Sequence, residues 1–291
     1  MKRLETMRFG VGARAPRYED RRFVTGSGCF GDDANLPGQL YAEFALSPIP
    51  AGTIRDIDLA AARATPGVVT AITADDIERD GLGHLECVAL RMRPLARADG
   101  SPLQAPPRPA LAHRAVRFVG EPVVMVVAES QAAARDAAEA VVLDIEEAPH
   151  TADLVDASAP GAPPVWADFP DNTAFVYRTG DQDAVAQALE RSAHVARITL
   201  PLQRMAMNPM EPRTALGAFD DGRFTLTCGT QNPHTTAREL ETMLGVAEGA
   251  VHLITNDMGG AFGMRSAVFP EMLLVLWAAR RLGRPVKWTG T

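Results

Sequence analysis

Apolar side chains recur at every second position in Leu40-Tyr-Ala-Glu-Phe-Ala-Leu46, where Leu40, Ala42, Phe44 and Leu46 share a face, and this alternation predicts a half-buried strand. Asp58 is placed to cap a short helix from Leu59 to Ala64, Pro66-Gly67 ends it, and Val68 to Thr73 reads as a strand. Val123 to Val127 is an unbroken apolar run suited to a strand buried on both faces. Ser130 caps an alanine-rich helix to about Ala140, and Val141 to Ile145 is a further strand. This strand, helix, strand unit puts α and β elements around one core.

Between about Glu147 and Asn172 periodicity fades and prolines cluster, as in Ser-Ala-Pro-Gly-Ala-Pro-Pro, so a linker and domain boundary are expected there. Beyond it, Asp181 or Asp183 starts a helix to about Arg191, and Val195 to Leu200 is expected to be a strand. Ala215 to Phe219 and Arg223 to Cys228 flank Asp220-Asp221-Gly222 as a β-hairpin. A helix near Thr235 to Leu244, a strand at Val251 to Asn256, a glycine-rich loop, an apolar helix from Phe269 to Leu282 and a strand at Pro285 to Trp288 complete the pattern.

The 291 residues suffice for about two domains. Basic and acidic residues number 29 and 36, so no global positive field draws the chain to nucleic acid or an anionic membrane. Lys2 and Lys287 are the only lysines; the arginine-rich remainder fits either phosphate binding or genomic base composition. The longest apolar runs, Pro122 to Ala128 and Met272 to Ala279, are far short of the roughly 20 residues of a membrane span. No apolar leader follows Lys2 and Arg3, so a cytoplasmic location is expected. Cys29, Cys87 and Cys228 lie far apart and the six histidines are scattered, so no metal ligand set is expected.

Three glycine-rich stretches compete for chemistry. Gly26-Ser-Gly-Cys-Phe-Gly31 and Gly10-Val-Gly-Ala-Arg-Ala15 fit dinucleotide fingerprints in letters, but neither is expected to follow a buried strand and open a helix, so both read as turns. Met258-Gly-Gly-Ala-Phe-Gly-Met-Arg265 lies between a strand and the long apolar helix. Its adjacent glycines let backbone N–H groups approach an anion or a metal-bound oxygen, and Arg265 offers a donor fork suited to phosphate. By itself it reads equally as a tight turn.

Seven segments in order resemble the molybdenum hydroxylases of the xanthine dehydrogenase and aldehyde oxidase family, in particular the N-terminal portion of the molybdopterin-binding large subunit. They are Tyr18 to Gly28, Asp32-Asp-Ala-Asn-Leu-Pro-Gly38, Val116-Arg-Phe-Val-Gly-Glu-Pro-Val123, Pro209-Met-Glu-Pro-Arg213, Gly229-Thr-Gln-Asn-Pro-His234, Met258 to Arg265 and Arg280-Arg-Leu-Gly-Arg-Pro-Val-Lys-Trp288. The resemblance implies an α+β chain: an α/β hammerhead domain over residues 1–150, a linker over 151–172, and over 173–291 the incomplete start of a molybdopterin-binding α/β domain.

It also implies roles for single residues. Gln231 matches the glutamine that donates to an oxygen on molybdenum, although a glutamine at a hairpin end fits the surface as well. Gly259, Gly260, Ala261, Phe262 and Gly263 match the cofactor-binding loop, with Phe262 beside the substrate. Arg265 matches the basic position after that loop and is counted with the cofactor-binding residues, or it pairs with a carboxylate. Ser266 stands where purine-oxidising members carry a glutamate, which argues against a purine; it either faces substrate or caps the next helix. Leu46-Ser-Pro-Ile-Pro-Ala-Gly52 departs from the family's Arg-Ser-Pro.

The resulting expectation is an oxidoreductase of the molybdenum hydroxylase type that oxidises an aldehyde or N-heterocycle with water as oxygen source. Its cofactor would be molybdopterin, in the cytosine dinucleotide form, with molybdenum. Its partners would be an iron–sulfur small subunit, an FAD-binding medium subunit and the remaining C-terminal half of the large subunit. The general-base glutamate is expected beyond Thr291, so the chain alone is expected to carry no catalytic residue and to be inactive. The alternative is a truncated, non-catalytic assembly or interaction module that keeps the hammerhead domain.

Overall fold

The computed structural model of the chain describes residues 16–85, 87, 95–97, 99–103, 105–106, 108–202 and 205–290. In chain order these form α1 (Asp20–Val24), β1 (Leu40–Leu46), β2 (Gly52–Asp58), α2 (Ala60–Ala64), β3 (Val68–Ile72), α3 (Ala74–Arg79), β4 (Ala115–Val116), β5 (Pro122–Ala128), α4 (Gln131–Glu139), β6 (Val142–Glu147) and α5 (Leu154–Ala157). There follow α6 (Gln182–Glu190), β7 (Thr214–Asp220), β8 (Arg223–Cys228), α7 (Pro233–Leu244), β9 (Val251–Ile254), α8 (Pro270–Leu282) and β10 (Val286–Thr289). Short 3-10 turns occupy Gly31–Asp33 and Met264–Ser266.

Local chemistry sets the boundaries. Ser130 accepts from the Ala133 N–H and Asp181 from the Ala184 N–H, each satisfying an orphan donor at a helix start. Asp58 does the same for Ala60 at 2.8 Å. Asp220 pairs with Arg223, and the two residues between them, Asp221 and Gly222, both have positive φ, 46° and 77°, as a two-residue turn that matches strand twist demands.

Among the described residues the strands form a seven-stranded sheet in the order β3-β5-β1-β10-β7-β8-β9 and a three-stranded sheet β4-β2-β6. The large sheet crosses the expected linker. β1 pairs parallel with β10 through Leu40 and Val286, and Leu40 N–H donates to Pro285 C=O at 2.7 Å. Strand β5 explains its own sequence: Met125 and Val127 enter the main core while Val124 and Val126 enter a second core with Ala62, Val116 and Ala137. Burial on both faces removes any reason to alternate. Helix α8 is buried from Glu271 to Ala279 and packs on β7, β8, β10 and α7, which is why its apolar residues run all round.

Strands β5 and β6, separated by α4, enter different sheets yet share the second core with it, as expected: Val124 and Val126 pack there with Ala137, and Leu143 and Ile145 lie against them. One expectation changes. Residues Val195 to Leu200 form no strand and are exposed, with Ile198 and Leu200 largely in solvent; their strand-like alternation has no partner ladder among the described residues.

Candidate functional site

The glycine-rich loop leaves the end of β9 and is tied down at its first residue. Gly259 N–H donates to Glu211 Oε2 at 2.7 Å, and Glu211 Oε1 accepts from Gly31 N–H at 2.9 Å. The backbone then turns through left-handed conformations: Gly260 has φ +116°, Phe262 +48° and Gly263 +86°. A Cβ on Gly260 would meet Pro209 Cβ at 3.1 Å and the Phe262 ring at 3.0 Å, so position 260 has neither the dihedral nor the space for a side chain. Met264 N–H closes the turn on Ala261 C=O at 2.9 Å.

Arg265, 1% exposed, faces inward. Its Nη1 meets Glu211 Oε2 at 2.9 Å and its Nη2 donates to Glu211 C=O at 2.8 Å and Pro212 C=O at 3.3 Å. Of the two readings open from sequence, the fork that binds phosphate and the partner of a carboxylate, the geometry selects the second.

The turn bearing Gln231 lies against the loop's exit. Gln231 N–H donates to Arg265 C=O at 2.9 Å, Thr230 Oγ1 to the same carbonyl at 3.2 Å, and Asn232 Nδ2 to Ser266 C=O at 3.1 Å. Gln231 itself is exposed and its side-chain amide is free of partners among the described residues. Ser266 Oγ donates to Gly263 C=O at 2.7 Å and does not cap α8, which begins after Phe269; the expected helix-capping role is replaced by a brace across the loop.

Within the loop, the N–H groups of Gly260, Ala261, Phe262 and Gly263 have no acceptor among the described residues. Phe262 is 69% exposed at the same tip. Four free donors and an exposed ring therefore share one loop, and the exposed Gln231 amide stands on the turn bonded to that loop's exit. A cleft of about 330 Å3 reaches the back of the loop, lined by Glu43, Pro209, Glu211, Met264 and Trp288. Desolvation in that setting pushes the Glu43 carboxyl above its usual range, with the Phe44 N–H and the Arg135 charge opposing.

The other stretches named from sequence behave differently. Residues 26–31 follow helix α1 and not a strand, as a turn reading requires, and the Gly10 to Ala15 stretch lies outside the described residues. His113 is not isolated: its Nε2 lies 3.2 Å from Asp75 and its Nδ1 3.6 Å from Glu78, so two carboxylates of α3 and an imidazole from the segment before β4 come together as three potential metal ligands apart from the glycine loop. Burial pushes the Cys228 thiol up to about 12, even with Arg265 beside it. Glu211 was not distinguishable in the sequence. Its signal was membership of Pro209-Met-Glu-Pro-Arg213, and a glutamate between prolines reads as surface until Gly31, Gly259 and Arg265 are seen to converge on it.

Comparison with known proteins gives these segments a context. The family model for the aldehyde oxidase and xanthine dehydrogenase a/b hammerhead domain matches residues 25–149, and that for the molybdopterin cofactor-binding domain matches residues 165–291. The nicotine 6-hydroxylase large subunit of Paenarthrobacter nicotinovorans is 38% identical over 282 residues, covering 96% of this chain and 33% of the relative. The structure of a Cu,Mo-CO dehydrogenase superposes with a TM-score of 0.84 at 28% identity, covering 97% of this chain and 35% of that one. Quinoline 2-oxidoreductase from Pseudomonas putida 86 superposes with a TM-score of 0.83 at 31% identity, covering 95% and 34%. The chain thus spans about a third of the length of the relatives it matches.

Proposed function

The chain belongs to the molybdenum hydroxylase family of xanthine dehydrogenase and aldehyde oxidase, as a hammerhead domain followed by a molybdopterin-binding domain, and from that premise we propose that the Gly259 to Gly263 loop and Gln231 form one wall of a molybdopterin site in a large subunit that oxidises an aldehyde or N-heterocycle. The single observation that carries the reading is the set of unpaired donors at Gly260, Ala261, Phe262 and Gly263. An unpaired N–H costs least where water or a polar ligand reaches it, and an oxygen-rich, anionic group is the natural complement of several at once. Positive φ at Gly260, Phe262 and Gly263 lets successive N–H groups lie along one turn without an internal acceptor, so the residues present fit such a group.

When bound, the cofactor would supply the two-electron redox chemistry, with water as the oxygen source and iron–sulfur and FAD centres on partner subunits as the electron exit. The residues of this chain do the holding. The Gln231 amide donates a hydrogen bond to an oxygen of the group, the loop amides do likewise, and Phe262 presents an apolar face to substrate while excluding water. Ser266 carries no charge, which favours a neutral substrate over a purine held by a carboxylate. Arg265 acts from behind, on the loop. The cytosine dinucleotide form of the cofactor, a division of the chain at 151–172, a cytoplasmic location and inactivity of this chain alone belong to the same reading. Among the described residues no helix is long and apolar enough to cross a membrane.

The test is Gly260→Val in a complete subunit carrying these residues. The variant is expected to lose molybdenum, measured by elemental analysis, while Gly245→Val, which imposes the same kind of positive-φ strain at the C-terminal end of α7, retains it. Normal molybdenum content in the variant refutes the reading.

A further inference from the structure

We infer that Glu211 is the positioning residue of the glycine loop: its carboxylate sets the point from which the free amides of Gly260 to Gly263 project. The inference rests on the cofactor reading for what the amides bind, but not for what holds them.

One buried carboxylate gathers three segments far apart in sequence. Oε1 accepts from Gly31 N–H at 2.9 Å, and Oε2 accepts from Gly259 N–H at 2.7 Å and from Arg265 Nη1 at 2.9 Å. Arg265 Nη2 returns to the Glu211 carbonyl at 2.8 Å. Two glycines from separate motifs, Gly259 and Gly229, make room for this pair, and Gly31 makes room for Thr214 beside it. A Cβ on Gly259 would stand 2.5 Å from Glu211 Cβ, one on Gly229 would overlap the Arg265 guanidinium, and one on Gly31 would overlap Thr214 Oγ1 and lie 3.4 Å from Glu211 Oε1. Gly259 is therefore a glycine because of Glu211, whereas Gly260 is a glycine because of its own dihedral and its neighbours Pro209 and Phe262.

A carboxylate is required by count. Three donors arrive at two oxygens, and a glutamine offers one acceptor oxygen while turning its own N–H groups against a donor. The geometry also separates positioning from bulk stability. If the Glu211–Arg265 pair served only to fill and neutralise the interior, an apolar pair of similar volume would do as well. If the carboxylate holds the loop, the apolar pair restores the fold and leaves Gly31 and Gly259 without their acceptor.

The experiment is residue-resolved amide hydrogen exchange on the full chain, as wild type, Glu211→Gln and the double variant Glu211→Met with Arg265→Met. In Glu211→Gln, exchange at Gly259 or Gly31 is expected to accelerate roughly tenfold or more beyond the acceleration at Met125 and Val126 in β5, which report the global loss of stability from the unpaired Arg265. In the double variant the melting temperature is expected to recover part of what Glu211→Gln loses, because no buried charge is left unpaired, while Gly31 and Gly259 both stay fast. Recovery of Gly259 protection together with melting temperature overturns the inference, as does unchanged Gly259 exchange or a double variant that fails to fold. No molybdenum is needed for these measurements, so failure of the cofactor reading leaves them standing. Wild-type molybdenum content and turnover in a complete subunit bearing Glu211→Gln, with Gly259 already fast, would overturn the positioning role while leaving the cofactor reading intact.

Discussion

Two glycine-rich turns, Gly26 to Gly31 and Gly259 to Gly263, meet at the same carboxylate and yet treat their backbone amides in opposite ways. In the first, Gly26 and Ser27 N–H groups donate to Phe23 and Arg22 carbonyls, Cys29 to Asp257, Phe30 to Asp33 and Gly31 to Glu211. Among the described residues only Gly28 N–H lacks an acceptor there, and in the second turn Gly259 alone has one. A turn whose donors are consumed by its own protein has nothing left for a ligand, so the first is an anchor, and the second keeps the donors that the proposed cofactor site requires. The letters G-x-G-x-x-G fit the first and not the second, because a motif records where a Cβ is missing and not where a hydrogen bond is missing.

The anchor is more than local. Asp257 takes the Cys29 N–H at 2.8 Å and pairs with Arg22, and its own N–H donates to Cys29 C=O at 3.0 Å, so the first turn is fastened to the chain entering the second. Nearby, Lys287, 5% exposed, donates to Asp32 C=O at 2.7 Å and Asn35 Oδ1 at 3.0 Å, joining the Asp32 to Gly38 segment to the last strand. These are bonds between the N-terminal segment and the second half of the chain.

The contrast is most severely tested at Arg265. Arg265→Met removes the counter-charge of Glu211 and leaves a buried carboxylate unpaired, and about 3–5 kcal/mol of stability is expected to go with it. Arg22→Ala, which breaks the half-exposed pair with Asp257, is expected to cost under about 1 kcal/mol. Urea titrations of both variants measure the difference, and equal losses would erase the distinction between a clamp and a surface pair.

A smaller effect separates the glycines. Gly31→Ala drives a methyl into Thr214 Oγ1 and is expected to cost about 1–3 kcal/mol. Gly263→Ala meets open space and suffers only from its positive φ, about 1–2 kcal/mol. The sharper readout is location: hydrogen exchange should show the first change at Thr214 and β7, the second confined to the loop.

The least perturbing probe is a thiol reagent at about pH 8, close to the ordinary cysteine range. Cys29 is exposed in the first turn and is expected to label within the mixing phase. Cys228, buried behind the second loop with its thiol pushed up to about 12, is expected to label only at the rate of unfolding. Fast labelling of Cys228 in the native chain would mean that the region behind the loop opens to solvent.

Much of the fold was legible because short-range chemistry wrote it. Ser130, Asp181 and the Asp221-Gly222 turn each declare a boundary through a bond or dihedral made within a few residues. β2 escaped notice because it is a mostly exposed strand with a register shift between Ile54 and Asp56, so its pattern is broken. Val195 to Leu200 deceived in the opposite direction: the alternation is there, but a strand needs a neighbour and none of the described residues supplies one.

The sequence by itself determined most of the longer elements, the caps and turns that bound them, and the unbroken apolar runs of β5 and α8. These depend on side-chain volume, polarity and dihedral freedom, which act over one turn of helix or a few residues of strand. Only the tertiary structure decided that β1 and β10 share a ladder across the linker, that Arg265 turns inward, and that Gly31, Gly259 and Arg265 converge on Glu211. Those pairings span 48 to 246 residues in the chain. Hydrogen bonds and ion pairs act over a few ångströms in space and carry no trace of their partner's position in sequence, so which donors are consumed and which remain for a ligand is settled when the chain has folded.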